Sequence, residues 1–151
     1  MKTLSNLFNI ATYTALSGWI VLVFLPRWSF GDVYVVSIAS ALLSVLYVYL
    51  LFFGKKYDEG AKVGGSFWTL EGVVRLFKTP RAVLIGWVHY LAFDMIIGLF
   101  ILRNAQHYGI SHWMVVPCLF LTLMFGPVGL LLYLIIRFFV TQDYFSPHFL
   151  G

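Results

Sequence analysis

Residues 82–102 read AVLIGWVHYLAFDMIIGLFIL, from Ala82 to Leu102, with Pro80-Arg81 before them and Arg103-Asn104 after. A bilayer core about 30 Å thick is crossed by a helix of on the order of 20 apolar residues. This stretch is long enough, has a cation at each end, and interrupts its apolar run with only one histidine, His89, and one carboxyl, Asp94. It reads as a transmembrane helix carrying two costly side chains. Three further stretches match it in length and character. Leu7 to Leu25 ends at Pro26-Arg27; Val33 to Phe53 is preceded by Asp32 and closed by Gly54-Lys55-Lys56. Trp113 to Val140 is long enough to tilt, or to bend where Pro117 and Gly126-Pro127 remove or weaken backbone hydrogen bonds. The expected fold is an all-α integral membrane protein, a single domain over 1–151 with four transmembrane helices, at about 7–25, 33–53, 82–102 and 113–140.

Composition agrees. The chain is 61% hydrophobic and 11% charged, with mean hydropathy +0.89, whereas a soluble domain has roughly a quarter of its residues charged. Lipid has to cover most of such a surface. The 19% aromatic share fits the Trp and Tyr belts of the two interfaces. One cysteine, Cys118, allows no internal disulfide and is expected to be a small packing residue. The net charge of +4 reports topology and attraction to lipid headgroups rather than nucleic acid. The first apolar stretch is too long for a signal-peptide core and no small-residue cleavage site follows it, so the chain is expected to be mature from Met1.

With four spans, Lys2, Lys55, Lys56, Lys62, Arg75, Lys78, Arg81 and Arg137 share one side, against Arg27 and Arg103 on the other. The positive-inside rule then places both termini in the cytoplasm, in a bacterial inner membrane. The long middle loop divides in two. Lys55 to Ser66 is glycine-rich and reads as flexible. Phe67 to Lys78 sets Phe67, Leu70, Val73, Val74 and Phe77 at helical spacing with Arg75 and Lys78 between them, which predicts a short amphipathic helix lying in the interface between the second and third spans.

An ionisable side chain at bilayer depth needs a partner or a task. At 1.5 Å per residue His89 lies about 10 Å deep and Asp94 about 18 Å, near the midplane. Five residues apart, they do not stack; Trp87, Tyr90, Asp94 and Gly98 share a face that should point into the bundle. Thr122 of the fourth span falls at the depth of Asp94, Tyr133 nearer that of His89, and Gly126-Pro127 mark a place where a backbone carbonyl is freed. A second polar group, Arg103, Asn104, Gln106, His107 and His112, gathers at the outer side. Two histidines without a third ligand make no convincing metal site, and with His89 the sole histidine inside a span, haem held by two histidines is not expected. No phosphate loop or serine-nucleophile motif is present, and no cofactor is expected. Asp94 is read either as a proton donor with His89 as its base, or as a purely structural interhelical tie.

The segment Gly86-Trp87-Val88-His89-Tyr90-Leu91-Ala92-Phe93-Asp94, the run Gly109-Ile110-Ser111-His112-Trp113, and Thr122-Leu123-Met124-Phe125-Gly126-Pro127-Val128-Gly129-Leu130-Leu131-Leu132-Tyr133 together resemble the abscisic-acid-deficient-4-like family of small four-span membrane proteins. Plant members of that family are tied to neoxanthin synthesis from violaxanthin. The resemblance implies carotenoid metabolism by a redox-neutral opening of a 5,6-epoxide to an allenic alcohol, with His89 and Asp94 as candidate catalytic residues. Trp87, Tyr90, Arg103, His112, Trp113, Thr122 and Tyr133 are then candidates for holding a carotenoid or other long apolar ligand. The alternative is a non-catalytic carotenoid-, lipid- or partner-binding protein, as a homo-oligomer or a subunit of a larger membrane complex. A small transporter using Asp94 is weaker, since no inverted repeat is visible.

Overall fold

The computed structural model describes residues 2–58 and 64–142, all of whose regular structure is helical. Gly60 and Lys62 of the middle loop, and the chain from 143 onward, lie outside the described residues. Helix α1 (Lys2–Phe24) buries Ala11, Ala15, Gly18, Trp19 and Leu22, a stripe at helical spacing with small residues that let neighbours approach. Helix α2 (Gly31–Tyr57) is continuous but widens into π turns over Tyr34–Ser40 and Tyr49–Phe53 before tightening into a 3₁₀ turn at Gly54–Tyr57. Its buried edge is Val35, Ala39, Leu43 and Leu50.

Irregular turns misalign carbonyls, and in an apolar setting each needs a donor. Arg81 supplies one at the end of α2: its Nη1 donates to the Leu50 carbonyl at 2.9 Å, while Nε donates to Asp58 Oδ2 at 2.7 Å. That pairing holds the Asp58 carboxyl below its ordinary value of 3.8, chiefly through the hydrogen bond from Arg81. A carboxyl depressed in the folded state stabilises the fold above its unfolded pKa, and the benefit is lost as pH falls through the folded value. Asp58→Asn should therefore melt below wild type at pH 7, and the two melting temperatures should converge on acidification below pH 3.8.

Helix α3 (Leu70–Leu76) falls inside the predicted interfacial segment, capped by Thr69, whose hydroxyl accepts from the Gly72 N–H at 3.1 Å. Phe67, Trp68 and Leu70 are left exposed. Helix α4 (Pro80–His107) starts with Thr79 as N-cap and Pro80 in the first turn, a residue order suited to a helix start. It runs past the expected end at Leu102 to His107, so Arg103, Asn104 and Gln106 belong to a helix rather than a loop. Asn104, only 3% exposed, is buried.

The fourth span differs most from expectation. In place of one helix there are two, α5 (His112–Phe125) and α6 (Pro127–Thr141), broken at Gly126. Pro127 has no N–H to continue α5, and Gly126 takes φ +46°, a backbone conformation that glycine tolerates and L side chains rarely adopt. The chain turns back on itself there. Gly129 sits so close to Thr122 and the Cys118 carbonyl that an added Cβ would overlap both. His112 at the head of α5 contacts the Val23 carbonyl, Leu123 lies beside Tyr90, and Gly126 beside Asp94. Tyr133 of α6 then lies beside Asn104, and Arg137 beside Tyr108. The two helices thus descend from the Arg103 end of α4 to the level of Asp94 and return. At 14 and 15 residues they measure roughly 21 and 23 Å, short of a bilayer core of about 30 Å. Tyr133 is consequently at the opposite depth from the one expected, far from His89. Thr141 finishes at the Tyr108 end of the bundle while Leu4 packs beside Pro80 at the other. The expectation of four spans with both ends on one side gives way, through Gln142, to three long helices and a hairpin. Gly129→Val should strain this hairpin; overpacking of a close contact costs about 1–3 kcal/mol, read as a lowered unfolding midpoint in mixed detergent.

Candidate functional site at the hairpin tip

The hairpin tip faces the middle of α4. With Pro127 lacking its N–H, the Leu123 carbonyl has no helical donor four residues on, and the Tyr90 hydroxyl fills the gap by donating to it at 3.0 Å. This is the freed carbonyl anticipated at the Gly-Pro step. One turn further along α4, Asp94 presses its carboxyl against Gly126, where an added Cβ would stand 2.8 Å from Oδ1. Its Oδ2 is buried and has no hydrogen-bond partner among the described residues. Gly126 is also the N-cap of α6, so the partial positive charge of that helix start faces the carboxyl group.

Towards the Lys2 end the same face of α4 carries stacked rings. Trp87 stacks on Tyr90 with centroids 5.5 Å apart and on Phe8 of α1 at 5.7 Å. Its indole N–H donates to Thr12 at 3.4 Å. Below lies an apolar cavity of about 280 Å³ bounded by Leu4, Phe8, Val83 and Trp87. Because α5 and α6 stop at Asp94, they leave this aromatic row uncovered beneath their tip. Gly98, the last residue predicted for the face, lies under Trp19 instead.

The remaining candidates are elsewhere. His89 points away from Asp94, between Tyr47 (5.8 Å) and Phe93 (4.5 Å), into a cavity of about 490 Å³ lined by α2, α3 and α4. The structure therefore does not join His89 and Asp94 in one site. Thr122 is fully buried and donates to the Cys118 carbonyl at 2.8 Å, a packing role within the hairpin. Tyr133 donates to Asn104 Oδ1 at 2.5 Å. Arg103 chelates Asp32 and donates to Gln106 Oε1 at 2.5 Å. His112 bonds the Val23 carbonyl at 2.8 Å, capping the end of α1, and Trp113 is 82% exposed. Arg103, His112 and Trp113 do share a cavity of about 710 Å³ with Arg27, Gln106 and Ser111, at the end of the bundle away from the aromatic row. Sequence reasoning missed Phe8 as a partner of Trp87, and Asp32 as the partner of Arg103. The second left a signal: a carboxylate and a guanidinium each bounding a span at the same end.

The family model described as ABA DEFICIENT 4-like matches residues 6–133. No curated protein and no solved structure matches the chain.

Proposed function

This chain belongs to the ABA DEFICIENT 4-like family, and from that premise we propose that it acts in carotenoid metabolism as a redox-neutral isomerase of an epoxy-carotenoid, with Asp94 handling the proton. The single observation carrying the reading is a carboxyl oxygen with no hydrogen-bond partner among the described residues, at the head of an uncovered row of stacked aromatic rings. A flat, linear polyene lies well on such rings and reaches them from the bilayer.

Opening a 5,6-epoxide to an allenic alcohol breaks one C–O bond, adds a proton to the epoxide oxygen and removes one from the neighbouring polyene carbon, whose C–H electron pair becomes the new double bond. One proton is gained and one lost. Asp94 donates with one oxygen and recovers a proton on the other, so its carboxyl ends as it began. While it is ionised, the start of α6 stabilises its charge, a preorganised dipole aimed where charge develops. Tyr90 fixes the hairpin tip, and Trp87 and Phe8 hold the polyene. His89 takes no part in this route.

The hairpin also supports an orientation within this proposal. Lys2, Lys55, Lys56, Arg75, Lys78 and Arg81 then share one side, against Arg27, Arg103 and Arg137 among the described residues. The Lys2 end is cytoplasmic, the hairpin enters from the opposite face, and the aromatic row opens to the cytoplasmic leaflet.

Nanodiscs holding the protein and an epoxy-carotenoid test the reading by chromatography. The expected result is an allenic product of unchanged mass. Retention of pigment without product would favour the binding-protein alternative, and neither product nor retention would overturn both. Trp87→Ala should raise the substrate concentration for half-maximal conversion roughly two- to thirteenfold, since a stacked ring pair is worth about 0.5–1.5 kcal/mol beyond its buried area.

A further inference from the structure

The cavity that receives His89 is left unused by the proposed reaction. It measures about 490 Å³ and is lined by Tyr47 and Leu51 of α2, Leu76 and Phe77 of the α3 segment, and Ile85 and His89 of α4, with Lys55 at its margin. Its size falls within the roughly 300–1,000 Å³ typical of ligand sites. The interfacial helix forms one wall because Phe77 packs directly on Gly86, where an added Cβ would stand 2.7 Å from the ring. The cavity therefore runs from the headgroup region, at Lys55, to the apolar depth of His89 and Tyr47.

Two cations line the cavity, Lys55 and Arg81. Arg81 is committed to Asp58 and the Leu50 carbonyl, and Lys56 lies over the rings of Tyr49 and Tyr57 at 5.6 and 5.2 Å. Lys55 forms no ion pair with a described residue, whereas Arg75, Lys78 and the acidic Glu71 lie on or beside α3 outside the lining. An apolar slot whose rim carries Lys55, without an ion pair among the described residues, is complementary to an amphiphile bearing a negative head. At the membrane interface such rims attract anionic lipid.

We propose that this cavity is a specific site for one anionic phospholipid, its phosphate at Lys55 and one acyl chain lying between α2, α3 and α4 past Tyr47 and His89. The lipid completes the wall between α2 and α4 and holds the interfacial helix against the bundle. The site is separate from Asp94 and independent of the reaction proposed there.

Native mass spectrometry of the purified full chain, after incubation with equal amounts of phosphatidylglycerol and phosphatidylcholine of identical chains, tests the site. One phosphatidylglycerol should be retained per chain, about fivefold over phosphatidylcholine, the ratio corresponding to about 1 kcal/mol for a lysine near an anionic headgroup. Lys55→Gln, a change at an exposed position, should bring the ratio close to one. Leu51→Trp, which fills the slot, should abolish retention of both lipids while the protein still elutes as a monodisperse, helical species. If Leu51→Trp fails that check, brominated phosphatidylglycerol chains placed against wild type should quench tryptophan emission more than brominated phosphatidylcholine does, and Lys55→Gln should erase the difference. Equal retention of the two lipids by wild type overturns the proposal. So does an unchanged preference in Lys55→Gln, full retention in a folded Leu51→Trp, or quenching that does not depend on headgroup or on Lys55.

Discussion

Asp94→Asn should reduce allenic product formation by at least about 100-fold while leaving the protein inserted and folded. The substitution keeps the shape of the side chain against Gly126 and removes the transferable proton. Positioned acid–base groups contribute roughly 10²–10⁴ to rate, whereas hydrogen bonds between membrane helices are worth only about 0.6–2 kcal/mol. A structural tie would thus lose modest stability and no chemistry; a proton donor would lose chemistry and little stability. Two companions separate the roles further. His89→Gln should leave turnover unchanged, because its ring packs against Tyr47 and Phe93 and lines a different cavity. Tyr90→Phe strips the Leu123 carbonyl of its donor, and a buried group left unpaired costs about 1–3 kcal/mol, so its effect should appear first in stability. Full activity of Asp94→Asn would remove the carboxyl from the reaction and leave pigment binding by the aromatic row as the function.

Much of this was legible in residue order. Long apolar runs bounded by cations located the three long helices, and helical spacing found a short helix, Leu70–Leu76, within Phe67 to Lys78. Pro80-Arg81 marked the approach to α4, though not Thr79 as its cap, and the Gly126-Pro127 step was visible as a weak point. What the step would do was not. A bent helix and a reversed one place the same apolar residues in lipid, so hydropathy does not separate them. The distinction lies in the φ of Gly126 and in the bare backbone at Gly129, which lets α6 lie against α5. Every depth assigned beyond Gly126 followed from a straight descent, which is why Tyr133 was set opposite His89 rather than beside Asn104. The Trp87, Tyr90 and Asp94 grouping survived because those residues share one helix, where spacing fixes the face. His89 was drawn to Asp94 by chemical type, against the 140° between them that the helix dictates. Arg103 and His112 were recognised as polar residues at one end, but their partners, Asp32 and the Val23 carbonyl, come from elements far away in the chain.

The reversal at Gly126 carries the rest: it brings the start of α6 to Asp94, stops the hairpin at mid-depth, and leaves the aromatic row open. Its sharpest consequence is all-or-none. In a Cys118→Ala background, single cysteines at exposed Lys78, His107 and Gln142 are labelled with a membrane-impermeant maleimide in sealed vesicles of known orientation. The hairpin predicts that Gln142→Cys reacts from the same face as His107→Cys, and that Lys78→Cys reacts only from the other. Labelling of Gln142→Cys from the face of Lys78→Cys would mean that the last segment crosses the membrane, and would contradict the hairpin and the site built on its tip.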